Sequence, residues 1–467
     1  MSEPHTFHAR FATRRKLLTV RADAMAVART LQNQLEAGQT AALRATLDQQ
    51  HPADLADAML FLDPDEERAV FALLDPIEAA EVLDEVDDQT EANLVSETSP
   101  DKLADILEEL PADEGADVVG SLPRDQAERV LSLAEPKIAA EIRALLAYSP
   151  DTAGGIMSLG YLAVLPTATQ AQALDCFRET EADHIFYVYV IDEAGVLLGA
   201  IDLRRLLRAS SDTLTRDLMH DDLIWVHPEC DQEQVANVFA RYDLTALPVV
   251  DARHKLVGVI TADDVIDVIQ EENAEDLAHL SGSDAGELES KSPVQVAKLR
   301  LPWIMATMGI ELLASLVIHV FDGTLTKFIL LASFMPVISA ISGNTGLQSA
   351  AIIIRGLSTG HVQLEHWRYA VVRQVTTTLI LGGCCALGLG IIGAIWDRHW
   401  AFGLVVFLGM FMSINIAGVI GTVVPLLSKR AGFDPALTAG PFETAFQDVI
   451  GISIFLALAS VLLKALY

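Results

Sequence analysis

Residues 435–465 read PALTAGPFETAFQDVIGISIFLALASVLLKA, an apolar run whose only charged residues are Glu443, Asp448 and Lys464. The run is longer than the ~20 residues a helix needs to cross hydrocarbon, so it predicts a membrane span. Working outward, four more segments meet the same test: Leu301–Phe321, Phe328–Ile354, Tyr369–Trp396 and Ala401–Leu427. The expectation is a membrane domain of five α-helices over 300–467.

Charge divides the chain at the same place. The 467 residues combine a mean hydropathy of +0.34 with a net charge of −32. Beyond Val294 the only acids are Glu311, Asp322, Glu365, Asp397, Asp434, Glu443 and Asp448, so 57 of the 64 acids precede it. The upstream part carries about −35 and the downstream part about +3. Such an acidic region repels nucleic acid and anionic lipid and calls for cations as partners. Arg14, Arg15 and Lys16 precede no apolar leader with a cleavage site, so a cytosolic N-terminus is expected. The inner flanks of the five spans then hold Lys298, Arg300, Arg355, Arg368, Arg373, Lys429 and Arg430, in keeping with the positive-inside rule. An odd number of spans places the C-terminus outside. Cys176, Cys230, Cys384 and Cys385 have no metal-ligand spacing and read as packing residues.

A carboxylate inside a span is a functional hypothesis, because burying it costs several kcal/mol unless something compensates. Counted along one continuous helix from Pro435, Asp448 lies ~20 Å in, near mid-membrane. Glu311 is comparably deep in the first span. Glu443 lies five residues before Asp448, about 140° around a helix, so the two do not share a face. In the second span, Met335-Pro336 and Ser342-Gly343-Asn344-Thr345-Gly346-Leu347-Gln348 suggest freed backbone carbonyls lining a wet path. Close helix packing at Gly343 and Gly346 is the other reading. Magnesium dehydrates reluctantly, and carbonyls with a midplane carboxylate suit a hydrated ion.

These residues resemble the MgtE family of magnesium channels. The motifs are Arg300-Leu301-Pro302-Trp303, Gly343-Asn344-Thr345-Gly346-Leu347-Gln348, Gly421-Thr422-Val423-Val424-Pro425, Asp434-Pro435-Ala436 through Gly440-Pro441-Phe442, and Gln447-Asp448-Val449-Ile450-Gly451. The resemblance implies a homodimer in the bacterial inner membrane, with a pore on its two-fold axis between second and fifth helices. Asp448 of both subunits would hold hydrated Mg²⁺ there, with Asn344, Gly343, Gly440 and Pro441 at the pore. Glu443 stands where the family usually has an apolar residue, and Glu311 is also a departure. Both are candidates for ion selectivity or coupling.

Upstream, Pro52, Pro64, Pro76, Pro100, Pro111, Pro123 and Pro136 recur at a spacing near twelve with one repeat skipped. Asp63, Asp75 and Ser99 directly precede prolines, the N-cap then N1 arrangement, so each unit predicts one short helix in a solenoid over 31–148. Residues 1–30 are expected to be a flexible N-terminus. Two strand and helix units follow, one with Ile185–Val190, the other with Ala246–Asp251 and Gly258–Asp264. They resemble a pair of cystathionine-β-synthase (CBS) domains, at 149–211 and 212–280, α/β modules that bind a nucleotide such as ATP, or an ion, and lack catalysis of their own. No enzymatic activity is expected. A linker and connecting helix over 281–299 lead into the membrane.

Asp264, Asp267 and Glu271 share one helix face. Like charges 4 Å apart cost about 4 kcal/mol at an effective dielectric near 20, so apposed acidic faces call for a cation. By resemblance, Asp231, Glu233, Asp243, Asp264, Asp267, Glu272, Glu275 and Asp276 hold regulatory Mg²⁺. The expected function is magnesium import that is shut by Mg²⁺ on the cytosolic domains. The rivals are a proton- or sodium-coupled carrier of Co²⁺, Ni²⁺ or Mn²⁺, and a membrane-anchored regulatory protein that transports nothing.

Overall fold

The computed structural model describes residues 22–180, 185–283 and 293–466; residues 1–21 of the expected N-terminal arm and 284–292 of the expected linker lie outside them. The chain forms two compact units, one running to Asp231 and including Ala246–Thr261, the other made of Gln232–Thr245 and Ala262 onward.

The first unit opens with ten short helices among the described residues, from Ala22–Glu36 to Pro136–Leu145. Proline sets the start of five of them. At Pro64–Phe71 and Pro76–Leu83 the preceding Asp63 and Asp75 close capping boxes with Glu66 and Glu78, and Ser99 Oγ accepts from Lys102 N ahead of Pro100–Leu107. Pro111 and Pro123 instead occupy the N-cap position itself. The helices stack in two rows: Pro52–Met59, Pro76–Leu83, Pro100–Leu107 and Arg124–Leu133 pack successively, and the alternate helices do the same. Each contributes fully buried side chains such as Met59, Phe71, Leu103, Ile106 and Leu107. Lys102 Nζ crosses the stack to donate to the carbonyls of Phe71 and Leu74, both at 3.0 Å, which caps the end of Pro64–Phe71. Burial lowers its pKa.

Next, β1 (Leu162–Val164) pairs parallel to β2 (Tyr187–Ile191), which pairs antiparallel to β3 (Leu197–Asp202). β4 (Ala246–Val250) and β5 (Leu256–Thr261) form a second antiparallel pair. The duplication extends to the turns. Asp192 Oδ1 accepts from the backbone N–H groups of Ala194 and Val196, and Asp251 Oδ1 accepts likewise from Arg253 and Lys255. Those bonds hold the Asp251 carboxylate below its usual pKa.

In the second unit, helices Gln232–Tyr242 and Ala262–Ser281 precede five helices long and apolar enough to span a membrane. The first, Pro293–Val320, is continuous from the stretch expected as a connecting helix. The fourth, Trp400–Ala431, is central and packs on the second (Leu331–Ser358), the third (Trp367–Asp397) and the fifth. Phe334, Phe402, Phe455 and Ile414 fill the core. The first helix packs mainly on the fifth and leaves its other faces open.

Two expectations are corrected. The second helix is unbroken through Pro336 and the Gly343–Gly346 motif, so these residues free no run of carbonyls. The glycines serve packing: a Cβ on Gly343 would lie 3.1 Å from Thr444 Cγ2, and one on Gly346 would overlap Gln447. The break falls in the fifth segment instead. Pro435–Thr438 is a separate short helix, Gly440 has φ +76°, and the spanning helix runs Pro441–Leu466.

Gly421 touches the Gly346 carbonyl so closely that an added Cβ would overlap that oxygen and lie 2.7 Å from Glu443 Oε1. Gly421→Ala is therefore expected to destabilise the helix bundle by about 1–3 kcal/mol, the range for overpacking. Gly388→Ala, where nothing lies within 4 Å, is the control expected to leave the melting temperature in detergent unchanged or raised.

Candidate ion site in the membrane helices

Because the fifth helix begins at Pro441, Asp448 sits seven residues in, about 10 Å from its start. This corrects the depth counted from Pro435. Asp448 is half-buried. Ser339 Oγ on the second helix donates to Asp448 Oδ1 at 2.5 Å, and Glu311 on the first helix lies beside Asp448. Three helices thus bring two carboxyl groups and a hydroxyl together. A cavity of about 350 Å³, lined by Ile318, Leu325, Met335, Pro336, Ser339 and Ile452, adjoins them. A compact group of oxygens beside a cavity suits a hard cation that keeps part of its water.

The other expected pore residues are placed differently. Gly343 is buried against Thr444, whereas Asn344 is exposed on the outer face of the same helix. Gly440 is the N-cap of the fifth helix, with its carbonyl accepting from Thr444 N at 3.0 Å. The side chain of Pro441 lies outside the described residues. Glu443 does not join Asp448. It is buried at the fourth helix, where it accepts from Gln447 Nε2.

The acidic residues of the second unit meet the membrane helices at one end. Lys429 Nζ on the fourth helix lies 2.9 Å from Glu233 Oε2, and Ser358 Oγ on the second donates to Asp276 Oδ2 at 3.1 Å. His279 Nδ1 lies 3.1 Å from Asp434 Oδ2, and the same His279 is 3.7 Å from Glu275. The end of Ala262–Ser281 covers the break in the fifth segment, where a Cβ on Gly440 would lie 2.6 Å from the Leu280 carbonyl oxygen. Gly440 therefore admits no side chain twice over, by its positive φ and by this contact.

Gln232 Nε2 donates to Glu272 at 2.8 Å, and Asp267 accepts from Gln270 Nε2 at 3.3 Å. Asp264 stands beside Asp267, and Asp243 has φ +52°. Asp231 belongs to the first unit, in a bridge with Thr152. Among the described residues, no three acid, His or Cys side chains converge tightly enough to hold a metal. The eight acids expected to regulate are thus not gathered into one site within the chain. Burial, then Asp264 and Asp263, raises the Asp267 pKa. Burial is also the leading cause at Asp276, with Asp434, Glu233 and Glu275 adding to it and the Ser358 hydrogen bond opposing it.

Sequence reasoning gave Lys429 only as a basic flank and missed Ser339, His279 and the break at Gly440. Only the last had a local signal, the Gly-Pro dipeptide.

Five helices long and apolar enough to span a membrane, with carboxyl and hydroxyl oxygens meeting between them and acidic residues at one end, define a polytopic membrane protein. Comparison with known sequences agrees. A family model described as a divalent cation transporter matches residues 335–458, the MgtE intracellular N domain matches 50–151, and CBS domains match 153–212 and 216–271. The chain is 35% identical over 343 residues to a magnesium transporter of Thermus thermophilus, covering 72% of this chain and 76% of that protein. It is 33% identical to a magnesium transporter of Enterococcus faecalis, covering 70% and 72%. Among solved structures, the cytosolic domain of a Mg²⁺ channel in complex with ATP matches at 38% identity and TM-score 0.49, covering 52% of this chain and 99% of that one. The chain belongs to the MgtE family of divalent cation transporters.

The raised pKa of Asp276 has a definite sign. Its ionised form is disfavoured where it is docked, so the docked helix gains as pH falls through the raised value and is burdened above it. Asp276→Asn is expected to raise the melting temperature at pH 7, with the gap from wild type closing as pH falls. Equal gaps at all pH values in a thermal-shift series would contradict this.

Proposed function

We propose that the protein carries Mg²⁺ through the membrane by way of the Asp448 site, and that Mg²⁺ on the acidic helices shuts the path. The observation that carries this reading is the meeting of Asp448, Ser339 and Glu311 in the apolar bundle. Family membership narrows the ion, since the curated relatives are magnesium transporters. The contacts of Ala262–Ser281 with the second and fifth spanning segments supply the lever. An ion that prefers the closed arrangement shifts the equilibrium by its differential affinity and by nothing else. Because the acids do not converge within one chain, the bridging ions would lie between faces of the sensor or between copies.

The protein works as a homodimer in this reading. Asn344 is an exposed amide midway along an apolar helix, which a second copy would cover. The membrane is the bacterial inner membrane, with the N-terminus cytosolic and the C-terminus outside, following the basic flanks of the spans. The CBS pair takes an adenine nucleotide such as ATP, as the related cytosolic domain does. The chain performs no catalysis. A carrier of Co²⁺, Ni²⁺ or Mn²⁺ is the second reading, favoured by Glu311 at Asp448, because paired carboxylates suit an ion that sheds its water more readily than Mg²⁺.

Flux into liposomes holding the purified protein separates these. Mg²⁺ uptake by wild type and its loss in Asp448→Ala are expected, and uptake of Co²⁺, Ni²⁺ or Mn²⁺ in preference to Mg²⁺ would give the second reading. Mg²⁺ uptake that survives Asp448→Ala would overturn the assignment of the path.

A further inference from the structure

The fifth helix has a second polar face, separate from that of Asp448. Glu443, Gln447 and Gly451 follow one another at one-turn spacing, with Gln447 about 100° and Glu443 about 140° from Asp448 around the helix. They face Gly421, Ala417 and Ser413 on the fourth helix. Glu443 is 4% exposed and Gln447 2%. Gly421 and Gly346 are the reason they fit, since a side chain at either position would occupy the space of Glu443 or Gln447.

The hydrogen bonds there do not balance. Gln447 Nε2 donates to Glu443 Oε1 and, at 3.4 Å, to the Ala417 carbonyl, which uses both amide hydrogens. Glu443 Oε2 and Gln447 Oε1 are left buried without a partner, and Ser413 Oγ, one turn along the seam beside Gly451, is unpartnered too. The side chains left over are therefore rich in acceptor oxygens. No Lys or Arg pairs with Glu443 among the described residues. A neutral water answers one or two lone pairs but cannot offset a buried negative charge, while a cation does both.

We infer that Glu443 and Gln447 form an intramembrane cation site distinct from the Asp448 site, taking a monovalent ion such as Na⁺. Charge selects the valence. One carboxylate and neutral oxygens compensate a single positive charge, whereas a divalent ion would be left with an uncompensated charge in hydrocarbon. The chemistry selects a hard cation, because every available ligand is oxygen. Ion occupancy at Glu443 and at Asp448 would bear on the same helix from two faces, which gives a monovalent ion a means of biasing the divalent site. The inference uses a different face of the helix from the magnesium path and does not require that path to conduct.

The test is ²²Na⁺ equilibrium dialysis of the full-length protein in detergent, freed of divalent ions and held in choline chloride. Wild type and Asp448→Asn are expected to bind Na⁺ saturably, Glu443→Gln to lose that binding, and Gln447→Met to weaken it. Na⁺ in place of choline should raise the melting temperature of wild type and not of Glu443→Gln, as a ligand specific to the folded state does. If Glu443→Gln does not fold, wild type against Gln447→Met decides. Absence of saturable Na⁺ binding would mean that a proton neutralises Glu443, and the inference fails. It fails also if Glu443→Gln binds as wild type does, or if Asp448→Asn alone abolishes binding. Mg²⁺ flux is read separately on the same preparation, so failure of the magnesium path leaves the sodium result standing.

Discussion

A carboxylate placed among apolar helices has to be answered by a hydrogen bond, a proton or a cation, and the membrane half of this protein is arranged around that demand. Its spanning segments hold three such groups. Glu311 and Asp448 meet across two helices, and Ser339 from a third donates its hydroxyl to Asp448. Glu443 is answered in part by Gln447 one turn along its own helix. Each arrangement brings oxygens together where, among the described residues, no Lys or Arg pairs with them, a setting in which a bound cation would gain most.

The backbone obeys a related constraint. Every peptide group in hydrocarbon needs a partner, so the chain can leave the helical form only where something covers it. The departure occurs at Ala439–Gly440, where the Leu280 end of the long acidic helix lies against Gly440. Contacts at Asp434, Ser358 and Lys429 surround the same place. The irregular backbone that begins the Asp448 helix is therefore also where the acidic helix takes hold. A change in the charge balance of that helix has a direct mechanical route to Asp448, because Gly440 caps the helix that carries it.

The five spans and the proline-initiated solenoid were legible because each rests on local signals: hydropathy over some twenty residues, and Asp or Ser before Pro. The pairing of strands into two similar units was legible for the same reason, with Asp192 and Asp251 holding equivalent turns. Which glycine breaks a helix was not legible. Glycine inside a helix costs only about 1 kcal/mol relative to alanine, so packing decides. Gly346 stays helical because it seats Gln447, while Gly440 turns left-handed ahead of a proline that starts a new helix. Asp448 stood out as a lone acid in an apolar run, but its partner Ser339 is one serine among several on a helix more than a hundred residues away. Glu311 and Glu443 looked alike in sequence, and tertiary packing separates them, one joining Asp448 and the other facing away from it.

We propose that the Ser339–Asp448 region is a water-filled place occupied by Mg²⁺. Ser339→Cys, made in a background with Cys176, Cys230, Cys384 and Cys385 replaced, tests it most directly through labelling by a charged, membrane-impermeant thiol reagent. Cys at this position is expected to react, with Mg²⁺ slowing the reaction in proportion to its occupancy. A thiol that never reacts, or one that reacts at the same rate with and without Mg²⁺, would contradict it.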